Sequence, residues 1–164
     1  MKHVKLDRTD IRILRELQND ASITNIALSK KVGISAPPCL RRVRALEEAG
    51  YVRGYHADIA ADKMGFGITV FTTVSLNNHS EGDIAHFAKL VESWPQVRES
   101  YLMTGDTDYL LKIVAEDWEA YQKFVTHQLT AAPNVAHVKS MPAMQRTKYA
   151  AGVPIEDRSS STPL

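Results

Sequence analysis

Much that would mark a secreted, metal-built or membrane protein is missing from this sequence. There is one cysteine, Cys39, which excludes an internal disulfide framework and any zinc cage built on thiolates. Six histidines (His3, His56, His79, His86, His127, His137) are scattered without metal-ligand spacing, so no metal is expected. No apolar run approaches the roughly 20 residues of a membrane span, and the opening MKHVKLDRTD has no signal-peptide core. A cytoplasmic protein with no membrane partner is expected. Catalytic constellations are missing too. There is no Ser/His/Asp or Cys/His set and no phosphate loop, and the only close carboxylate pair, Asp106 and Asp108, has no basic partner nearby in sequence. Neither enzymatic activity nor a cofactor is expected.

What is present is an ordinary soluble composition with an uneven charge. Of the 164 residues, 44% are hydrophobic and 24% charged, enough for one medium domain or two small ones. The net charge of +1 conceals 11 Lys and Arg against 7 Asp and Glu in residues 1–60, and 9 against 12 in the remainder. A basic first third that attracts polyanions, joined to an acidic remainder, implies two domains with different partners.

The chain is organised around residues 24–50, TNIALSKKVGISAPPCLRRVRALEEAG. Thr24 is placed to cap a first short helix with an apolar stripe of Ile26, Ala27 and Val32. Gly33 stops that helix, because glycine takes the left-handed conformation of a helix terminus without a Cβ penalty. Ser35 is a second N-cap before Ala36, Pro37 and Pro38, and proline is tolerated in a first turn. On the second helix, Leu40, Val43 and Leu46 share one face with Cys39 at its edge. Arg41 points away from it, flanked by Arg44 and Arg42, with Ser35, Pro37 and Pro38 at the exposed N-terminal end. A helix apolar toward its own domain and cationic toward solvent suits phosphates and base edges, so these six polar and proline positions are the candidate DNA contacts. Cys39 is expected to be a small core residue rather than a redox sensor.

Around this motif, residues 6–18 form an earlier helix with Asp7 as N-cap, Asp10 in its first turn and a stripe of Ile11, Ile13, Leu14 and Leu17. Residues 51–59 read as a strand or small wing, closing a helix-turn-helix domain over 1–59, and 60–67 read as a linker. Over 68–149 the pattern is βαββαβ. Strands are expected at 68–76, 97–103, 108–115 and 135–144. A helix at 80–93 buries Ile84, Phe87, Ala88 and Val91, and a helix from Asp117 to Leu129 buries Trp118, Tyr121, Phe124 and Val125. Met64, Met103, Met141 and Met144 are expected as core fillers by default, with inter-dimer contacts as the alternative. The fold class is α+β, a winged helix-turn-helix domain followed by a ferredoxin-like domain with both helices on one sheet face. The other face lacks cover and is expected to meet a twin. Alternation separates Val70, Thr72 and Val74 from Phe71, Thr73 and Ser75 without saying which set is uncovered. Residues 150–164 are Ser- and Pro-rich and read as a flexible tail.

With GISAPPCLRRVRALEEAGYVRGY in one domain, YLMTGDTDYLLKI in the other and VKSMPAMQRTKY at the final strand, the chain resembles the leucine-responsive/asparagine-responsive (Lrp/AsnC, feast/famine) regulators. The resemblance spans roughly residues 6–149. It implies a transcription regulator that binds double-stranded DNA, dimerises through its second domain, assembles to an octamer, and takes an amino-acid-like effector between dimers. It also places the effector loop at Thr104, Gly105, Asp106, Asp108 and Tyr109. The loop's chemistry fits: a glycine turn exposes N–H groups for a carboxylate, and Asp106 offers an acceptor for an ammonium. The same residues also make an ordinary hairpin turn. An architectural, sequence-indifferent DNA-binding protein would share the basic domain and the oligomer. Effector identity, target genes and the sign of regulation are not legible.

Overall fold

The structure, a computed structural model, describes residues 6–156. They fall into two units, one of residues up to 58 together with those from 148 on, the other of residues 59–147.

The first unit is helical. Helix α1 (Arg8–Asn19) starts at a capping box, in which the Asp7 carboxylate accepts from Asp10 N–H and the Asp10 carboxylate accepts from Asp7 N–H. Helix α2 (Asn25–Val32) is capped by the Thr24 hydroxyl and closed by Gly33, at φ 76°. The Ile34 N–H reaches back to the Ser29 carbonyl at 3.0 Å, which satisfies a terminal carbonyl of α2. Helix α3 (Ala36–Glu48) follows at once. Ile13, Leu17, Leu28, Val32, Cys39 and Leu46 make the shared core, with Leu14 and Val43 packed against it.

The apolar phases differ from the sequence reading in a consistent way. In α2 the core side is Leu28 and Val32, one turn apart, while Ile26 and Ala27 lie exposed. In α3 the centre of the apolar face is Cys39, fully buried, and Leu40 is 39% exposed. Exchanging Leu40 for Cys39 in the face shared with Val43 and Leu46 turns the mean direction of that face by roughly 30° on a wheel of 100° per residue. Residues 52–60 are not in a β-ladder, so the wing has no strand. It is tied instead to α3, through a hydrogen bond of 2.7 Å from the Tyr55 hydroxyl to Glu47.

The second unit is a four-stranded antiparallel sheet. Its strands are β1 (Ile68–Leu76), β2 (Val97–Leu102), β3 (Tyr109–Ala115) and β4 (Val135–Pro142), in spatial order β2-β3-β1-β4. Helix α4 (Glu81–Glu92) and helix α5 (Trp118–Phe124), which runs on into a π-turn at Val125–Leu129, pack on one face. Val70, Thr72 and Val74 point to the helices, across from Ile113, Leu111 and Tyr109 in register. Phe87 sits at the centre of this core, 4.7 Å from the Tyr109 ring and 6.1 Å from that of Trp94.

Three expectations fail in this unit. Trp118 is 49% exposed, because as the first residue of α5 it stacks on the outer side of Tyr121 at 5.1 Å. The last strand stops at Pro142. Met64, Met103, Met141 and Met144 are all exposed rather than core fillers, since none stands on a strand or helix face turned inward.

Alternation leaves Phe71, Thr73 and Ser75 on the face away from the helices, with Leu110 and Lys112 on β3 and Lys139 and Met141 on β4 beside them. Phe71 and Met141 are direct cross-strand partners, 37% and 38% exposed. On the same face Lys112 pairs with Glu99 at 2.5 Å, and Tyr101 donates to Glu99 at 2.6 Å.

Candidate nucleic-acid interface and effector loop

In the helical unit, Asn25 holds the start of α3 against the start of α2 by donating to the Ala36 carbonyl at 2.9 Å. Ser35 is the N-cap of α3 by backbone geometry, yet its hydroxyl makes no capping hydrogen bond. Pro37 and Pro38 occupy the first turn and carry no N–H. This helix end therefore has few backbone donors for a phosphate, and its free polar group is the exposed Ser35 hydroxyl. Pro37 is exposed, and Pro38 half-buried.

The arginines separate. Arg41 and Arg44 are exposed on the side of α3 away from Cys39. Arg42 is not brought to that side. The rotation that buries Cys39 carries Arg42 toward α1, where its Nη1 lies 2.7 Å from both the Asp7 and the Asp10 carboxylates. Those two hydrogen bonds hold its guanidinium above its usual pKa, with Asp10 contributing more than Asp7. The Asp7 carboxyl is held below its usual value, first by the Asp10 N–H and then by Arg42. Arg42 thus belongs to the packing of α1 on α3, and the outward cations of α3 are Arg41 and Arg44. Sequence reasoning also missed Tyr55, whose link to the acidic end of α3 fixes the segment that carries Arg53.

In the sheet unit, the loop between β2 and β3 divides the predicted effector residues. Thr104, Gly105 and Asp106 are exposed, with Gly105 at φ 120°, a conformation that L side chains rarely adopt. Asp108 turns inward. Its Oδ2 accepts from the Leu76 N–H at 2.7 Å, and His79 Nε2 lies 3.0 Å from the same carboxylate. Its backbone also bridges strands, donating to Val74 and accepting from Met103. Tyr109 is buried against Phe87, and its hydroxyl donates to the Ile84 carbonyl at 2.9 Å. Burial holds that phenol above its usual pKa, with Asp108 adding a smaller push.

The loop is therefore half scaffold and half open. Asp108 and Tyr109 anchor it to β1 and α4, and Gly105 and Asp106 present a turn and a carboxylate. A groove of about 490 Å³ runs between α4 and β2 down to Leu102 and Tyr109, but neither Gly105 nor Asp106 lines it. The acid–base contact here, His79 on Asp108, fastens the anchored half of the loop. The arrangement is suited to holding a small zwitterion or to closing a turn.

Comparison with known proteins bears on both units. Residues 6–53 match the family described as winged helix-turn-helix DNA-binding, and residues 69–153 match the Lrp/AsnC ligand binding domain. The chain is 47% identical over 152 residues to the leucine-responsive regulatory protein of Rhizobium meliloti, covering 93% of this chain and 97% of that one. It is 40% identical to the Bkd operon transcriptional regulator of Pseudomonas aeruginosa, covering 92% and 99%. Among solved structures, a transcriptional regulator from Neisseria meningitidis in complex with L-Met superposes with a TM-score of 0.87 at 36% identity, covering 92% of this chain and 97% of that one.

Proposed function

Since the chain belongs to the Lrp/AsnC family of DNA-binding transcriptional regulators, we propose that it reads specific DNA sequences and that an amino acid alters its DNA binding or its assembly. The observation that carries the DNA half is α3 itself: an apolar side sealed on Cys39 and Leu46, and an outward side bearing Arg41 and Arg44. Arginine there is suited to bidentate contact with guanine in the major groove, and Ser35 to a phosphate oxygen.

The effector half rests on the open part of the β2–β3 loop. Asp106 accepts the ammonium of a bound amino acid, and the N–H groups around Thr104 and Gly105 hold its carboxylate. The Neisseria meningitidis relative, solved with L-Met, supports a ligand of this class. Because the loop stands outside the α4–β2 groove, a second copy of the chain completes the site.

The uncovered face of the sheet supports a reading of the assembly. The face carrying Phe71, Lys112 and Met141 is the dimer interface, and dimers associate further, to an octamer, around the effector loops. Such a protein works in the cytoplasm; no helix among the described residues is long and apolar enough to cross a membrane.

A thermal-shift screen of the twenty amino acids tests the reading. A ligand held only by the native state raises the melting temperature, by the mass-action stabilisation that grows with its concentration over Kd. One or a few amino acids are expected to do so, and no response to any of them would refute the effector assignment.

A further inference from the structure

The Ser- and Pro-rich C-terminal segment reads as a flexible tail, yet its described part is built into the helical unit. The chain leaves that unit after Asp58 and returns to it at Lys148. Gln18, on the outer side of α1, treats the returning segment as a sheet treats a strand. Its Nε2 donates to the Val153 carbonyl at 2.7 Å, and its Oε1 accepts from the Val153 N–H at 3.0 Å. One turn earlier, Arg15 donates from both Nε and Nη2 to the Ile155 carbonyl, at 3.1 and 3.0 Å. These are four directed hydrogen bonds to the main chain of two residues, Val153 and Ile155, on either side of Pro154.

The sequence is shaped to allow this approach. Gly152 has φ 71°, and a Cβ there would run into the Gln18 side-chain amide. Only glycine combines that conformation with that proximity. Pro154, between the two anchored residues, has no N–H to satisfy and a restricted φ, which lowers the entropy lost on docking. The segment, α1 and residues 51–56 together line one open groove.

We propose that residues 149–156 are a strap, a working part of the DNA-binding unit that gives the sheet domain a second connection to that unit, continuous in the chain and hydrogen-bonded to α1. The linker that follows Asp58 is the first. Six residues, 143–148, separate the end of β4 from the start of the strap. A rearrangement around β4 therefore pulls on α1, and through the Asp7–Asp10–Arg42 contact on α3, without passing through the linker. Gln18 and Gly152 are then coupling residues that touch neither DNA nor effector. The coupling rests on the reading of the protein as an effector-responsive regulator; the docking does not.

The experiment combines hydrogen exchange with DNA titration on the full chain and on two variants, Gln18→Ala and Gly152→Ala, which break the same contact from opposite sides. In the wild type, the amide of Val153 is expected to exchange about tenfold or more slowly than an unstructured amide, and that protection is lost in both variants. Promoter affinity without amino acid should stay within about twofold of wild type, since no DNA contact is removed. The change in affinity produced by L-leucine or L-methionine should shrink at least about threefold, from the 5- to 150-fold typical of such couplings. An unprotected Val153 amide in the wild type overturns the docked strap. Lost protection with an unchanged amino-acid response overturns the coupling. Where the wild type responds to neither, the titration is repeated with the amino acid that raises its melting temperature; a wild type that responds to none of the twenty overturns the coupling together with the functional reading, and protection of Val153 then leaves only the docking standing.

Discussion

Arg42 on α3 and Asp10 on α1 are joined at 2.7 Å, and Asp10 is itself half of the capping box that starts α1. A cation taken by sequence phase for a DNA contact is therefore the clasp between two helices. Arg42→Ala should lower the stability of the helical unit by about 1 kcal/mol, a charge-assisted bond discounted for the partial exposure of the pair. That corresponds to a fall in Tm of roughly 4–8 °C for a domain of this size. Arg41→Ala should leave Tm unchanged and weaken promoter binding by about 1–3 kcal/mol. Because the Asp7 carboxyl is held below its ordinary value, its contribution is present above pH about 4 and fades as the pH falls through its folded value. The gap between wild type and Arg42→Ala should narrow accordingly in acid. Melting curves between pH 7 and pH 3, with anisotropy titrations at neutral pH, check both arms.

Tyr55 provides a second pH-dependent signature. Burial and the Glu47 carboxylate push its phenol up to about 12. Below the unfolded value of about 10 the Tyr55–Glu47 contact contributes fully, and it is lost as the pH climbs through the folded value. In an ultraviolet titration of phenolate absorbance, the difference between wild type and Tyr55→Phe should rise near pH 12. A step near pH 10 would mean that the wing is not fixed to α3.

The two aspartates of the effector loop should behave in opposite ways. Asp106→Asn removes the charge from an exposed acceptor, so amino-acid affinity should fall about ten- to a hundredfold with little change in Tm. Asp108→Ala strands the Leu76 N–H and should cost the sheet domain roughly 1–3 kcal/mol before any effect on ligand. Calorimetry and melting curves on the same samples separate the roles.

The uncovered face of the sheet gives the assembly prediction. Phe71 and Met141 lie side by side on it, and neither has a helix above it. Phe71→Glu on the full chain should shift light scattering from dimer or larger toward monomer, because a buried charge without a partner is costly. An unchanged mass would place the interface elsewhere.

The elements were legible where local rules act alone. The capping residues Asp7 and Thr24, the glycine stop at Gly33 and the alternation of β1 all follow from short-range chemistry. Helix phase was not so readable. Cys39 counts as weakly apolar, so pattern places it at the edge of a face of Leu40, Val43 and Leu46, and the small rotation that buries it exposes Leu40 and turns Arg42 toward α1. In the effector loop, Gly105 and Asp106 were assigned by resemblance. That Asp108 is spent on Leu76 and His79 depends on a contact 32 residues away for the first and 29 for the second, which no local pattern encodes. The strap was unreadable for the same reason: Gln18 and Val153 lie 135 residues apart.

An effector-responsive regulator must change its specific DNA binding when its amino acid is bound. The direct measurement is an anisotropy titration of the full chain against its own upstream promoter region and a random duplex of equal length. It should be run at physiological ionic strength, with and without the amino acid that shifts its melting temperature. Promoter binding should be tighter by about 10³-fold or more, with a severalfold change in promoter affinity, or in the size of the bound complex, when the amino acid is added. Equal affinity for the two duplexes, falling steeply with salt and indifferent to the amino acid, would contradict that function and identify a sequence-indifferent DNA-binding protein instead.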